Sequence, residues 1–164
     1  MINAIFAVDS LGGLGKNGSL PWPKNSEDLR WFKKNTLGHI VVMGGNTWRD
    51  PLMPKPLPGR TNVVITSQPI DTEGVIVYNK HITQSIQHLQ YTNPYKDVFI
   101  IGGASLLTST WDIVNRVVLT QFSDSYDCDV SMDLDGCLGN FTMTEQTQTD
   151  NGRYSIWNKN THTH

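Results

Sequence analysis

The chain has 164 residues, 13 basic and 15 acidic, for a formal charge of −2. That length suits one domain over residues 1–164 with a sizeable core, and the slight acidity argues against a nucleic-acid surface, which needs clustered Lys and Arg. No apolar run approaches the ~18 residues of a membrane span. The opening run Ile2–Val8 lacks the basic and apolar regions of a secretion signal, so a cytoplasmic protein is expected.

In chain order, β-rich runs are expected at Ile2–Val8, 40–43, 62–66, 75–78, 98–101, Arg116–Phe122 and 154–158. Helices are expected between them at 26–35, 47–50, 82–90 and 104–111. Strands alternating with helices predict an α/β fold: a central, mostly parallel twisted sheet of about eight strands, flanked by about four helices. The polar, weakly alternating stretch from Thr120 onward suits antiparallel strands at one edge. Cys128 and Cys137 form no CxxC, and the histidines are scattered, with His162 and His164 in a terminal tail. Reduced thiols and no metal site are expected.

Three segments carry chemistry. Ser26, read as an N-cap, opens a helix on which Asp28 shares a face with Leu29, Phe32, Asn35 and Thr36. Glu27 falls instead beside Arg30 and Lys34, where solvated ion pairs would satisfy it. A carboxylate on the inward face survives by pairing or by a raised pKa, so Asp28 is either a proton-handling group or a first-turn acid favoured by the helix dipole. Next, Met43-Gly44-Gly45-Asn46-Thr47 and Ile101-Gly102-Gly103-Ala104-Ser105 both read strand, Gly-Gly, helix. Two such turns at the ends of parallel strands suit a ligand with two phosphates, such as a dinucleotide. The run Gly12-Gly13-Leu14-Gly15-Lys16-Asn17-Gly18 imitates a phosphate loop, but Asn17 stands where Ser or Thr is needed, and a mobile surface loop or lid is expected.

These pieces together resemble dihydrofolate reductase. The resemblance rests on Ala7-Val8-Asp9 with its glycine loop, Gly18-Ser19-Leu20-Pro21-Trp22, Asp28-Leu29-Arg30-Trp31-Phe32-Lys33, Met43-Gly44 leading into Thr47-Trp48, Pro56-Leu57-Pro58-Gly59-Arg60-Thr61-Asn62, Ile101-Gly102-Gly103-Ala104, and Leu119-Thr120. It implies NADPH-dependent reduction of dihydrofolate to tetrahydrofolate: hydride to pterin C6 and a proton to N5. A monomer is the expected state.

The resemblance also implies roles. Asp28 would hold the 2-amino and N3 side of the pterin, buttressed by Thr120, while an ordered water carries the proton. Ile5, Leu29, Phe32 and Leu57 would wall the pterin and benzoyl rings; each reads equally as plain core, Ile5 and Leu29 above all. Arg60 suits bidentate capture of the glutamate tail's carboxylate, with Lys33 as an added attraction. Ala7 and Trp22 would flank the nicotinamide, and Leu20 would close over it. Leu14, Gly15, Gly18, Gly44, Asn46, Thr47, Thr66, Ser67, Ile101, Gly102, Gly103, Ala104, Ser105 and Leu106 complete the expected cofactor contacts. Asp129 would help hold the glycine loop closed.

Two departures stand out. The family commonly has arginines where this chain has Gly45 and Ser105, so weaker NADPH binding or a relaxed preference over NADH is expected, with Lys80 as a compensating cation. Leu107 replaces a common tyrosine near the nicotinamide. Two alternatives stay open on the residues: a pyrimidine reductase of riboflavin synthesis, which needs a sugar-phosphate pocket, and a non-catalytic folate or nucleotide binder. Turnover of dihydrofolate separates all three.

Overall fold

The apolar runs pair into one eight-stranded sheet in a computed structural model that describes residues 1–15, 26–51, 53–126, 128 and 130–161. The strands are β1 (Ile2–Val8), β2 (Gly13–Gly15), β3 (Ile40–Gly44), β4 (Thr61–Ile65), β5 (Ile76–Tyr78), β6 (Val98–Gly102), β7 (Arg116–Phe122), β8 (Val130–Ser131), β9 (Phe141–Thr149) and β10 (Gly152–Lys159). The helices are α1 (Ser26–Thr36), α2 (Gly45–Arg49), α3 (Ile82–Thr92), α4 (Ala104–Thr110) and α5 (Leu134–Cys137), with a 3-10 turn at Trp111–Ile113. The large sheet runs β5-β4-β3-β6-β1-β7-β10-β9. It is parallel from β5 through β7, and β10 pairs antiparallel with both β7 and β9. The expected fold class is the one observed.

The parallel centre follows from sequences apolar on both faces. In β3, Val41 and Met43 enter one core with Ile5, Trp48, Leu57, Val64, Phe99 and Val118, and Trp31 and Phe32 pack against it. Ile40 and Val42 point the other way, into a core that holds Ile86, Leu89, Leu106 and Leu107. Covering both faces buries the strand ladder and leaves the carboxyl ends of β1, β3, β4, β6 and β7 as the open edge where an α/β sheet takes ligands.

Several local expectations are corrected. Gly44 is the last residue of β3, paired with Ile65, and Gly45 is the first of α2, so strand passes into helix with no intervening turn. Ser26 is the first helical residue, and the capping position lies outside the described residues. The start of the glycine loop is pinned: Gly13 and Gly15 pair with Ser131 and Val130 in a two-stranded ribbon. α5 is one turn, created by Asp133 accepting the Gly136 N–H.

Candidate functional site

α1 lies across the open edge and couples its own polar stripe to the sheet. Thr120, near the end of β7, donates its hydroxyl to Asp28 Oδ1 at 2.8 Å. The register aligns Ala7 of β1, Thr120 of β7 and Tyr154 of β10 in one row beneath the helix. Burial pushes the Asp28 carboxyl above its ordinary range; Thr120 opposes that rise and the adjacent Glu27 charge adds to it. The Tyr154 phenol is likewise held well above its usual range, first by burial and then by Glu27 and Asp28. Its ring packs on Trp31 with centroids 5.1 Å apart. Glu27 is held by the β9–β10 hairpin, accepting from Thr149 at 2.8 Å and Asn151 at 3.5 Å. The expected pairing with Arg30 and Lys34 gives way to that contact because the hairpin end reaches over the first turn of α1.

One turn on from Asp28, Phe32 faces Arg60, whose guanidinium carbon lies 5.9 Å from the ring centroid. Arg60 is pre-positioned from two sides: Nε donates to Pro58 O at 2.9 Å and one terminal nitrogen donates to Thr36 Oγ1 at 3.1 Å. The same Thr36 hydroxyl donates to Phe32 O at 2.8 Å, so the last turn of α1 fixes both ring and cation. A guanidinium carries five N–H donors, and the outer pairs suit a carboxylate. Leu57 is buried beside this group by Asn62, which accepts the Leu57 N–H and donates to Leu57 O and Arg60 O.

Between β3 and β6, the two Gly-Gly strand–helix junctions face each other. A register shift after Val42 pairs Met43 with Gly102, and Gly102 adopts φ +121°, a conformation open only to glycine at low cost. A Cβ placed on Gly44 would stand 3.8 Å from Gly102 O and Gly103 N, and one on Gly103 4.0 Å from Thr47 Oγ1. The result is a cradle of backbone edged by a hydroxyl, shaped for a phosphate that must approach main chain closely. The residues present therefore fit the pyrophosphate of a dinucleotide.

At the foot of the glycine loop Asp9 is almost fully buried. Its Oδ1 accepts the N–H groups of Leu11 (2.9 Å) and Gly13 (2.8 Å). Its Oδ2 accepts from Tyr126 N–H at 2.8 Å and Cys128 Sγ at 3.5 Å. Burial alone would raise this carboxyl, but those donors outweigh it and hold the pKa below the ordinary value. Asp9 thus ties the loop's start to the segment after β7.

A family model described as dihydrofolate reductase matches residues 1–160. The chain belongs to the dihydrofolate reductase family. It is 34% identical over 153 residues to a dihydrofolate reductase of Ureaplasma parvum, covering 92% of each chain. It is 34% identical over 130 residues to one of Bacillus subtilis, covering 79% of this chain and 73% of the relative. Among solved structures, dihydrofolate reductase from Enterococcus faecalis complexed with NADP(H) and RAB-propyl aligns with a TM-score of 0.75 and 25% identity. That alignment covers 98% of this chain and 97% of the other. This membership replaces the pyrimidine-reductase alternative.

Within a dihydrofolate reductase frame, the structure brings together Asp28 and Thr120, and separately Phe32 and Arg60. Ile5 is core, as one reading had it, whereas Leu29 is 47% exposed and is no part of the core. Lys33, Asn46, Ser67 and Ser105 are exposed, and Ala7, Leu14, Thr47, Thr66, Ile101 and Ala104 are half-buried. The side chains of Leu106 and Leu107 lie inside the core. Gly18, Leu20, Trp22, Asp129, His162 and His164 lie outside the described residues. No helix among the described residues is long and apolar enough to cross a membrane. Sequence reasoning missed Asn62 and Thr36 as positioning groups; an Asn amid a β-branched run and a Thr closing an amphipathic helix were the available signals.

Proposed function

We propose that this chain reduces 7,8-dihydrofolate to 5,6,7,8-tetrahydrofolate with NADPH, using the site built on α1. The observation that carries the reading is Asp28, a half-buried carboxylate above its ordinary pKa, held by Thr120 on the helical stripe that leads to Phe32 and the positioned Arg60. Asp28 accepts the pterin's 2-amino and N3 hydrogens as a bidentate pair, which sets the ring's orientation. Phe32, Leu57 and Ile5 form the apolar wall, Leu29 lies at the mouth, and Arg60 takes the carboxylate of the glutamate tail. The Gly44 and Gly102–Gly103 junctions with Thr47 hold the cofactor's pyrophosphate, and Ala7 supports the nicotinamide from β1. NADPH, when bound, supplies the hydride that reduces pterin C6.

Asp28 favours the pterin form that accepts a proton at N5, and the proton itself arrives through water. The Phe32 and Leu57 surfaces keep bulk solvent away from the reacting face and strengthen Asp28's interactions there. The chain acts as a cytoplasmic monomer without a nucleic-acid partner; its charge of −2 supports the last point.

The test is loss of absorbance at 340 nm with dihydrofolate and NADPH. The wild-type chain is expected to turn over, and Asp28→Asn to lose about 100-fold or more at neutral pH while keeping its circular dichroism spectrum. A wild-type chain without turnover, or an Asp28→Asn variant with near-full activity, contradicts the assignment.

A further inference from the structure

Tyr154 lies on β10 beneath the first turn of α1, and it is only 4% exposed. Neither its hydroxyl nor the indole N–H of Trp31, whose ring packs against it, has a hydrogen-bond partner among the described residues. An indole N–H only donates, so Trp31 offers the phenol no acceptor. Buried donors left unpaired are rare in folded chains, and one set beside two carboxylates marks a group that bonds through water or in another state of the site. The charges acting on the hydroxyl all come from α1: Glu27 and Asp28, with Arg30 opposing them. In the same row, β7 and β9 bring Thr120 and Thr147, both uncharged. Neighbouring Arg153 points the other way, to Gln121 Oε1 at 2.7 Å.

Two carboxylates thus compete for one hydroxyl, and the β9–β10 hairpin decides between them. Glu27 is supplied with donors on both oxygens: Oε1 accepts from Thr149 at 2.8 Å and Oε2 from Asn151 at 3.5 Å. A carboxylate already given donors gains less from one more, so each hairpin contact weakens the claim of Glu27 on Tyr154. Asp28 takes Thr120 on Oδ1 and stands on the same helical turn.

Resting on the reductase reading above, we propose that Tyr154 is a positioning residue for Asp28: its hydroxyl donates to Asp28 through one bridging water for as long as the hairpin holds Glu27. The hairpin end thereby sets the donor supply of the acid that holds the pterin. When Thr149 releases Glu27, Glu27 takes the Tyr154 hydroxyl and Asp28 loses a donor. Its charged form is then held less well, and its titration moves to higher pH.

The test is a carbon-13 NMR titration of the Asp28 carboxyl in the ligand-free chain. Tyr154→Phe is expected to move that titration up by about 0.5 pH unit, and the acid limb of kcat/KM against pH with it. Thr149→Val leaves Tyr154 in place and is expected to move it in the same direction by less, while Thr149→Ser restores the wild-type curve. In a Tyr154→Phe background, Thr149→Val is expected to add nothing, because the hydroxyl through which it acts is gone. An Asp28 that titrates in Tyr154→Phe as in the wild-type chain overturns the proposal, and so do additive shifts in the double variant. Either result leaves the reductase reading intact, since that reading stands or falls on turnover by the wild-type chain.

Discussion

Asp9 and Asp28 are two carboxylates of one chain with opposite surroundings. Asp9 is enclosed by three backbone N–H donors and the Cys128 thiol, and its pKa lies below the ordinary value. Asp28 is half-buried against a hydroxyl, with Glu27 as a like-charged neighbour, and its pKa lies above the ordinary value. Burial opposes ionisation at both sites; the number of donors aimed at the carboxylate decides which way the balance falls. Donor-rich Asp9 is an anchor that joins the glycine loop to the segment after β7. Asp28 is a group whose charge the folded chain accommodates poorly, and a polar substrate edge can complete its shell.

The same substitution at both positions is therefore expected to have opposite consequences for stability. Asp9→Asn turns an acceptor toward backbone N–H groups into a donor and is expected to cost about 2–3 kcal/mol, a fall in Tm of about 4–12 °C at pH 7. Asp9 has a depressed pKa, so its contribution is present above the ordinary carboxylate range and is lost as pH falls through the folded value. The deficit of Asp9→Asn is thus expected to shrink as pH falls below the ordinary aspartate value of 3.8 and through the lower folded value, seen by thermal unfolding across pH.

Thr120→Val removes the donor that lowers the Asp28 pKa, so that pKa is expected to climb further. The acid limb of kcat/KM against pH then moves to higher pH, and activity at pH 7 falls about tenfold. Thr120→Ser restores the profile, which a purely structural role for the methyl group would not allow.

The smallest expected change is a gain. Asp28 has a raised pKa, so the folded chain binds its proton more tightly than the unfolded chain does. Stability is then complete below the ordinary carboxylate range and declines as pH rises through the folded value. Asp28→Asn, permanently neutral, is expected to raise Tm by about 2–4 °C at pH 8 and by almost nothing near pH 4. Equal Tm changes at both pH values would break the contrast with Asp9.

How far the sequence was legible follows the range of the forces involved. The parallel strands were visible because β3 and β6 are apolar on both faces, and α1 because its stripe repeats every three to four residues. Asp28 was separable from Glu27 by helical phase, but Glu27's true partners lie more than 120 positions away on the β9–β10 hairpin, beyond any local pattern. The β2–β8 ribbon escaped notice for the same reason: Gly13–Gly15 has no alternation, and its pairing is set by Asp9 binding a distant segment.

The most direct measurement is a carbon-13 NMR titration of the side-chain carboxyls of Asp9 and Asp28 in the ligand-free chain, assigned through the two Asn variants. Asp28 is expected to titrate above the ordinary aspartate value and Asp9 below it. Coincident titrations, or the reverse order, would contradict the assignment of Asp28 as the reactive carboxylate and Asp9 as the anchor.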